Sequence, residues 1–460
     1  MKALEGLIKD GAKLIITLDC GSTNIKEIAY AKNKGVEVIV IDHHQIVHDS
    51  PPAYALVNQH QSGDSYPFKG LCGTGLAFKL FQVLSSDSRA EGIWNKDREK
   101  WLLDLVALGT VADMVPLVDE NRTMVKYGLL VLAQTKRVGF KELFKVARIV
   151  PKFDRERMET NLNTVILGFS FGPRINAASR MAHAGLAYNL LMSGEAEAAR
   201  LLALELEENN SKRKKEIDFV LNEVMSRIDL ANPPDFIVEG SPRWPAGILG
   251  LVANKIKDRL SRPVMLIHEN GDDSKASLRA PDGFNLLLAL ESVAQNLLQY
   301  GGHKQAAGTT LKAEDISKIR EELKKYASKN LLPEQKTPKI EADAEIVLGD
   351  ITLTNAELVG LLEPFGMANP SPRLAVAGAE LSEVRLMGNA NKHAKLFFKG
   401  RNGGKGGKGL VPALLFFHNG EADKLQIGGK YDIVGELSVN EWNGNREPQF
   451  KILDIRPKSN

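Results

Sequence analysis

Two short apolar runs end in the residues with the most chemistry to offer. Residues 14–18 (LIITL) lead into Asp19-Cys20-Gly21, and residues 36–41 (VEVIVI) lead into Asp42-His43-His44. Carboxylate and imidazole together make a ligand set for Mn²⁺ or a similar divalent ion. A third candidate is Asp113, in residues 109–117 (GTVADMVPL), an aspartate in an apolar, proline-stopped stretch where an unpartnered carboxylate is costly to bury. Singly, Asp19 and Asp113 read as helix caps and the histidines as surface groups. Acidic and imidazole groups at two consecutive strand ends argue instead for a metal site.

A parallel sheet must position these groups. Residues 14–18 and 36–41 read as buried strands, and the amphipathic stretch 22–34 between them, stopped by Gly35, reads as a helix. Strand, helix and strand make a βαβ unit with parallel strands, whose ligands gather at the strands' carboxyl ends. Adjacent strands lie roughly 5 Å apart, which brings Asp19 beside Asp42, His43 and His44. Helical patterns at 76–84 and 101–110 are expected to cover the faces.

Farther along, Ile217, Val220, Leu221, Val224 and Ile228 form one stripe of a long helix over 195–228, with Lys212, Arg213, Lys214 and Lys215 assigned to its opposite face. Asn232-Pro233-Pro234 ends that helix and marks a domain boundary. A second α/β pattern follows: strands at 235–239 and 263–269 around a helix at 247–260, then helices at 285–300 and 313–329. Beyond residues 332–338 come short strand-like runs (396–398, 410–417, 431–437) with Gly-rich turns, the texture of a small β-barrel.

A chain of 460 residues is long enough for two to four domains. With 43% hydrophobic and 25% charged residues the composition is that of an ordinary soluble globular protein, and no apolar run is long enough to span a bilayer as a helix. Residues 1–10 carry no signal-peptide pattern, and two cysteines outside any C-x-x-C pair suit a reducing, cytoplasmic compartment. A net charge of +3 says little about nucleic acid, so any electrostatic footprint must be local. No acidic residue occurs between Glu383 and Glu421, where Lys392, Lys395, Lys399, Arg401, Lys405 and Lys408 accompany Phe397, Phe398, Phe416 and Phe417. Basic groups with aromatics for stacking describe a single-strand platform. Of adjacent Phe397 and Phe398, at least one must point inward. Trp442 receives no role.

In order along the chain, LDCGSTN, VIVIDHH, SYPF with GLCGTG, GTVADMVPL, FGPRINAASRM, RWPAGILGLVA, RPVMLI, SLRAPDGFNL, YGGHKQAAG, EPFGMANP and WNGNREPQFKILDIRP resemble the motifs of RecJ-type nucleases of the DHH phosphoesterase family. The resemblance implies a parallel-sheet α/β DHH catalytic domain (1–193), a connector helix (194–231), an α/β DHH-associated domain (232–332) and an oligonucleotide-binding-type barrel (333–460). It implies that Asp19 bridges two ions of Mn²⁺ or Mg²⁺, that His43 ligates one of them, as does Asp113, that His44 faces the scissile phosphate and that Asp42 orients its neighbours. Gly301, Gly302 and His303 would grip a phosphate, with Ser277 and Arg279 beside them. Arg174, Asn176 and Arg180 fall where the family meets nucleic acid; a buried Arg–carboxylate pair is the alternative for the arginines and explains Arg180 equally well.

The activity so implied is 5′ to 3′ exonuclease action on single-stranded DNA in recombination and repair, with a helicase or single-strand-binding protein as partner. Three departures stand out. The family's earlier aspartate-rich motif is not found in residues 1–18, Pro245 stands where histidine is common, and Ser179 where glycine is. The first leads to the expectation of an N-terminally incomplete DHH domain, one ion short, and leaves hydrolysis by this chain open. The competing readings are a non-catalytic single-strand-binding or scaffold protein and a phosphoesterase of short oligonucleotides.

Overall fold

The computed structural model describes the chain outside residues 47–48, 91–94, 182–183, 338, 389–390, 401–408, 419, 443 and 459–460, and outside the side chains of 90, 178–181 and 442. In chain order the first elements are α1 (Lys2–Lys9), β1 (Leu14–Leu18), α2 (Ile25–Asn33), β2 (Glu37–Ile41), β3 (Ala55–Val57), α3 (Gly73–Ser86), α4 (Glu99–Ala112), α5 (Asp119–Ala133) and α6 (Val138–Ala147). The middle comprises β4 (Phe153–Asp154), β5 (Glu159–Thr160), α7 (Gly172–Met181), α8 (Gly185–Met192), α9 (Ala196–Arg227), β6 (Ile237–Ser241), α10 (Leu249–Leu260), β7 (Val264–His268), β8 (Ser274–Arg279), α11 (Leu286–Glu291), β9 (Leu297–Gly302), β10 (Ala306–Leu311) and α12 (Ile316–Asn330). The last are β11 (Ala344–Glu345), α13 (Leu353–Gly360), β12 (Arg373–Met387), β13 (His393–Lys399), β14 (Leu410–Phe416), β15 (Lys430–Trp442) and β16 (Asn445–Pro457).

These elements form two compact units. The first comprises Met1–Thr135, Pro151–Phe169 and Ile340–Asn460, the second Lys136–Val150 and Ser170–Lys339. In the first unit, β1, β2 and β3 pair in parallel in that order. Strand alternation decides what each face buries: Val38 and Val40 pack with Ile28 and Ala31 of α2, whereas Ile39 and Ile41 pack with Leu76, Phe78, Val106 and Met124 of α3, α4 and α5. The same unit holds a closed barrel in which β12, β13, β14, β16 and β15 are neighbours and β15 pairs back onto β12, with β14 and β16 parallel. Its core includes Leu381, Leu396, Phe398, Ile433 and Phe450.

The second unit contains helices α6 to α9 and a five-stranded sheet in the order β6-β7-β8-β10-β9. Phe236, Val238, Met265 and Ile267 face α11 and α12, while Ile237, Val264 and Leu266 face α9 and α10. Three expectations are corrected here. Residues 14–18 are not a buried strand: β1 lies at the edge of its sheet, and Leu14, Ile16 and Leu18 are exposed. The stretch 285–300 is not one helix: α11 ends at Glu291 and 297–302 is β9, because pairing with β10 overrides the local pattern. Arg213 is not on the solvent face of α9. It is buried and donates to Asn210 Oδ1 at 2.8 Å, since it lies four residues before Ile217 and so shares the apolar stripe. Among the described residues no helix is long and apolar enough to cross a membrane.

Candidate metal centre

Sheet register brings the candidate ligands together. Leu18 pairs with Ile41, Asp19 N–H donates to Ile41 O (2.9 Å) and Asp42 N–H to Val57 O (3.0 Å), so the three strand ends lie side by side. Asp19 adopts φ 64, a left-handed conformation that side-chain-bearing residues seldom take. Its Oδ1 lies 3.1 Å from His43 Nε2, and Asp113 Oδ2, at the C-terminal end of α4, lies 3.4 Å from the same nitrogen. That nitrogen is buried, and neither contact has hydrogen-bonding geometry. Ligand atoms of Asp19, His43 and His44 lie within 4.8 Å of one another, and Asp113 joins this group through His43. Two carboxylates and two imidazoles around an unbonded buried nitrogen suit a divalent ion of borderline hardness.

Asp42 does not face the cluster. Its buried carboxylate accepts from the N–H groups of Ser22 (3.0 Å), His43 (2.8 Å) and His44 (3.2 Å), and lies 2.7 Å from His44 Nδ1. Burial pushes this carboxyl up, but the donors, led by Ser22 N–H and the His44 ring, outweigh it and hold it far below the usual carboxylate range. The bond to Asp42 in turn raises His44, so its imidazole keeps a proton more readily. Asn58, at the end of β3, donates to Ser22 Oγ (2.8 Å) and His44 O (2.9 Å).

Ser22, Asn58 and Gly73 were not foreseen. Asn58 carried a signal, because it follows an apolar run as Asp19 and Asp42 do. Gly73 stands out in the sequence only as part of the GLCGTG motif, with nothing local to link it to Asp19, yet a Cβ there would lie 2.3 Å from Asp19 Oδ1.

Asp113 is raised, chiefly by burial, which outweighs the attraction of His43, while Asp19 adds like-charge repulsion. A raised folded-state pKa means a contribution to stability that is complete below about pH 4 and lost as pH rises through the folded value. Asp113→Asn removes that loss. Without metal it is expected to melt above the parent at pH 7, and to gain less from added Mn²⁺; thermal scans with and without Mn²⁺ read both.

The barrel carries a second candidate surface. On its outward face Met387, His393 and Phe416 form one row, Arg385, Lys395 and Leu414 a second, and Glu383, Phe397 and Pro412 a third. Phe397 has Arg385 at 4.6 Å and Lys395 at 5.6 Å from its ring centre, while Phe398, one residue on, is fully buried. His393 meets the rings of Phe416 and Phe417 at 5.3 and 4.6 Å. Lys392 is exposed, and Lys399 is paired with Glu380. Arg401, Lys405, Lys408 and the side chains of Arg180 and Trp442 lie outside the described residues.

In the second unit, β10 joins the phosphate-motif residues, with Gly308 opposite both Ser277 and Gly301, and Ala306 opposite Arg279. Gly301, Gly302 and His303 are exposed, and His303 N–H donates to Ala306 O at 2.8 Å. Arg279 Nη1 donates to Leu278 O at 2.7 Å. Asn176 is exposed on α7. Arg174 is buried, its Nε 2.5 Å from Glu207 Oε2 and its Nη1 2.7 Å from Ser170 O, which ties α7 to α9.

The chain is 31% identical to the single-stranded-DNA-specific exonuclease RecJ of Haemophilus influenzae, over 98% of this chain and 79% of that protein. This chain belongs to the RecJ family. Family models for the DHH family N-terminal domain, the DHHA1 domain and the RecJ OB domain match residues 2–110, 234–329 and 342–454. Identity to the RecJ exonuclease of Bacillus subtilis is 36% over 98% of this chain, which spans 55% of that relative's length. The crystal structure of RecJ in complex with Mn²⁺ from Thermus thermophilus matches with a TM-score of 0.81 at 28% identity, covering 99% of this chain and 64% of that one. A Mg²⁺ complex of the same RecJ matches at 0.75. The α/β DHH sheet, DHHA1 domain and barrel are thus a RecJ-family fold.

Proposed function

We propose that this chain holds a divalent ion, Mn²⁺ or Mg²⁺, at Asp19, His43 and Asp113 and hydrolyses single-stranded DNA from a free 5′ end, in recombination and repair. The observation that carries this reading is the convergence of both carboxylates on the buried, unbonded His43 Nε2. A bound ion supplies Lewis-acid polarisation of the phosphodiester and a strong nucleophile at neutral pH. Asp42 holds the His44 ring in place and favours its protonated form, which lets His44 donate to a phosphate oxygen. His303 and Arg279 act as further phosphate donors, and Phe397 with its flanking cations stacks a base. A cytoplasmic setting, with a helicase or single-strand-binding protein delivering the strand, completes the reading.

The test is incubation of the chain with Mn²⁺ and a 5′-labelled single-stranded oligonucleotide. Release of labelled mononucleotide by the parent and none by Asp19→Ala supports the proposal. A non-catalytic strand holder is the second reading, favoured because among the described residues only two carboxylates face His43. No cleavage with retained, salt-sensitive strand binding would select it. The barrel surface is tested separately. Phe397→Ala is expected to weaken single-strand binding by about 1–3 kcal/mol with little change in stability. Phe398→Ala is expected to destabilise the fold by about 3–5 kcal/mol. Fluorescence anisotropy and denaturant titration distinguish the two.

A further inference from the structure

Asn121 and Arg122, adjacent in the first turns of α5, hold the Asp113 loop from two sides. Asn121 is fully buried, and its Nδ2 donates to Gly70 O (2.6 Å) and Pro116 O (2.9 Å). Gly70 precedes by three residues the Gly73 that bounds Asp19, and Pro116 follows Asp113 by three. One amide therefore spans the two loops that set the carboxylates facing His43. Arg122 Nη2 donates to the carbonyls of Leu361, Leu362 and Glu363 at 3.1, 3.1 and 3.2 Å, just past the end of α13, where a cation is favoured.

The attachment continues through the main chain. Leu117 N–H donates to Met367 O at 2.7 Å, and Thr164 Oγ1 donates to Phe365 O at 2.6 Å. A Cβ on Gly366 would lie 2.5 Å from Cδ1 of the buried Leu117. Asn369 Nδ2 closes the segment on itself through Leu362 O (3.1 Å) and Pro364 O (2.9 Å). Between Asp113 and Pro116, Met114 sits at φ 57, a conformation its own side chain disfavours, so the loop's shape depends on these outside bonds.

We propose that Asn121 and Arg122 are positioning residues that couple the Asp113 carboxylate to the segment leading into the barrel, so that metal loading and seating of residues 361–369 favour one another. This rests on Asp113 being a metal ligand. Coupling between two sites is reciprocal, which makes it readable from either end.

Hydrogen exchange on the unmodified full chain reads it from the far end. Saturating Mn²⁺ is expected to slow exchange of peptides covering 361–369 at least about fivefold. Protection confined to 109–117 overturns the coupling. Calorimetric Mn²⁺ titration reads it from the near end. Arg122→Ala is expected to bind Mn²⁺ at least about fivefold more weakly, with Arg122→Lys, which still donates to carbonyls, recovering part. Weakened binding by Asp113→Ala together with parental binding by Arg122→Ala overturns the coupling alone. Parental binding by Asp113→Ala overturns the ligand assignment beneath it.

Discussion

Gly73→Ala is expected to remove metal binding while leaving the fold standing. A Cβ at this position would lie 2.3, 2.6 and 2.7 Å from Oδ1, Cβ and Cγ of Asp19, distances that real contacts do not reach. Something must move, and the Asp19 side chain, 58% exposed, can swing toward solvent. That motion carries Oδ1 away from His43 Nε2, because the backbone at φ 64 cannot follow. Alanine is otherwise welcome at the start of α3, where it is preferred to glycine by up to about 1 kcal/mol. The net expectation is a parental denaturation midpoint with Mn²⁺ affinity reduced about 100-fold or more, beyond the 10–100-fold of an orienting partner. Denaturant titration and calorimetry on the same preparation check both halves.

Asp42→Ala is expected to damage both. It strands the buried Ser22 N–H and the half-buried His43 N–H and frees the His44 ring, so a loss of about 3 kcal/mol in unfolding free energy and 10–100-fold in metal affinity is expected. Asp42→Asn, which keeps one acceptor, should lose less. The pH dependence follows from the sign of the shift. A folded-state pKa held far below the ordinary value gives stability that is present above about pH 4 and lost as pH falls through the folded value. The parent should therefore lose stability more steeply below pH 4 than Asp42→Asn, as urea midpoints at stepped pH would show.

The site was legible where local rules were strict. A strand's period of two and the parallel preference of a βαβ unit were enough to bring Asp19, Asp42, His43 and His44 to one edge. The same alternation required Phe397 and Phe398 to part, and Phe398 took the core. Contacts between distant segments left no local trace. The pairing of Arg174 with Glu207, the closeness of Gly73 to Asp19 and the reach of Arg122 to Leu361 depend on packing that no window of sequence encodes. Residues 285–300 misled because helix-compatible apolar spacing runs into β9, whose identity is fixed by its partner β10. At Arg213 residue type and helical spacing point to opposite faces of α9, and the spacing prevails.

The most direct test of the metal assignment is electron–nuclear double resonance on Mn²⁺ added to the chain carrying ¹⁵N-histidine. The account predicts an imidazole nitrogen coupling in the parent that is lost in His43→Gln. A spectrum with no nitrogen coupling, or one that His43→Gln leaves unchanged, would contradict it.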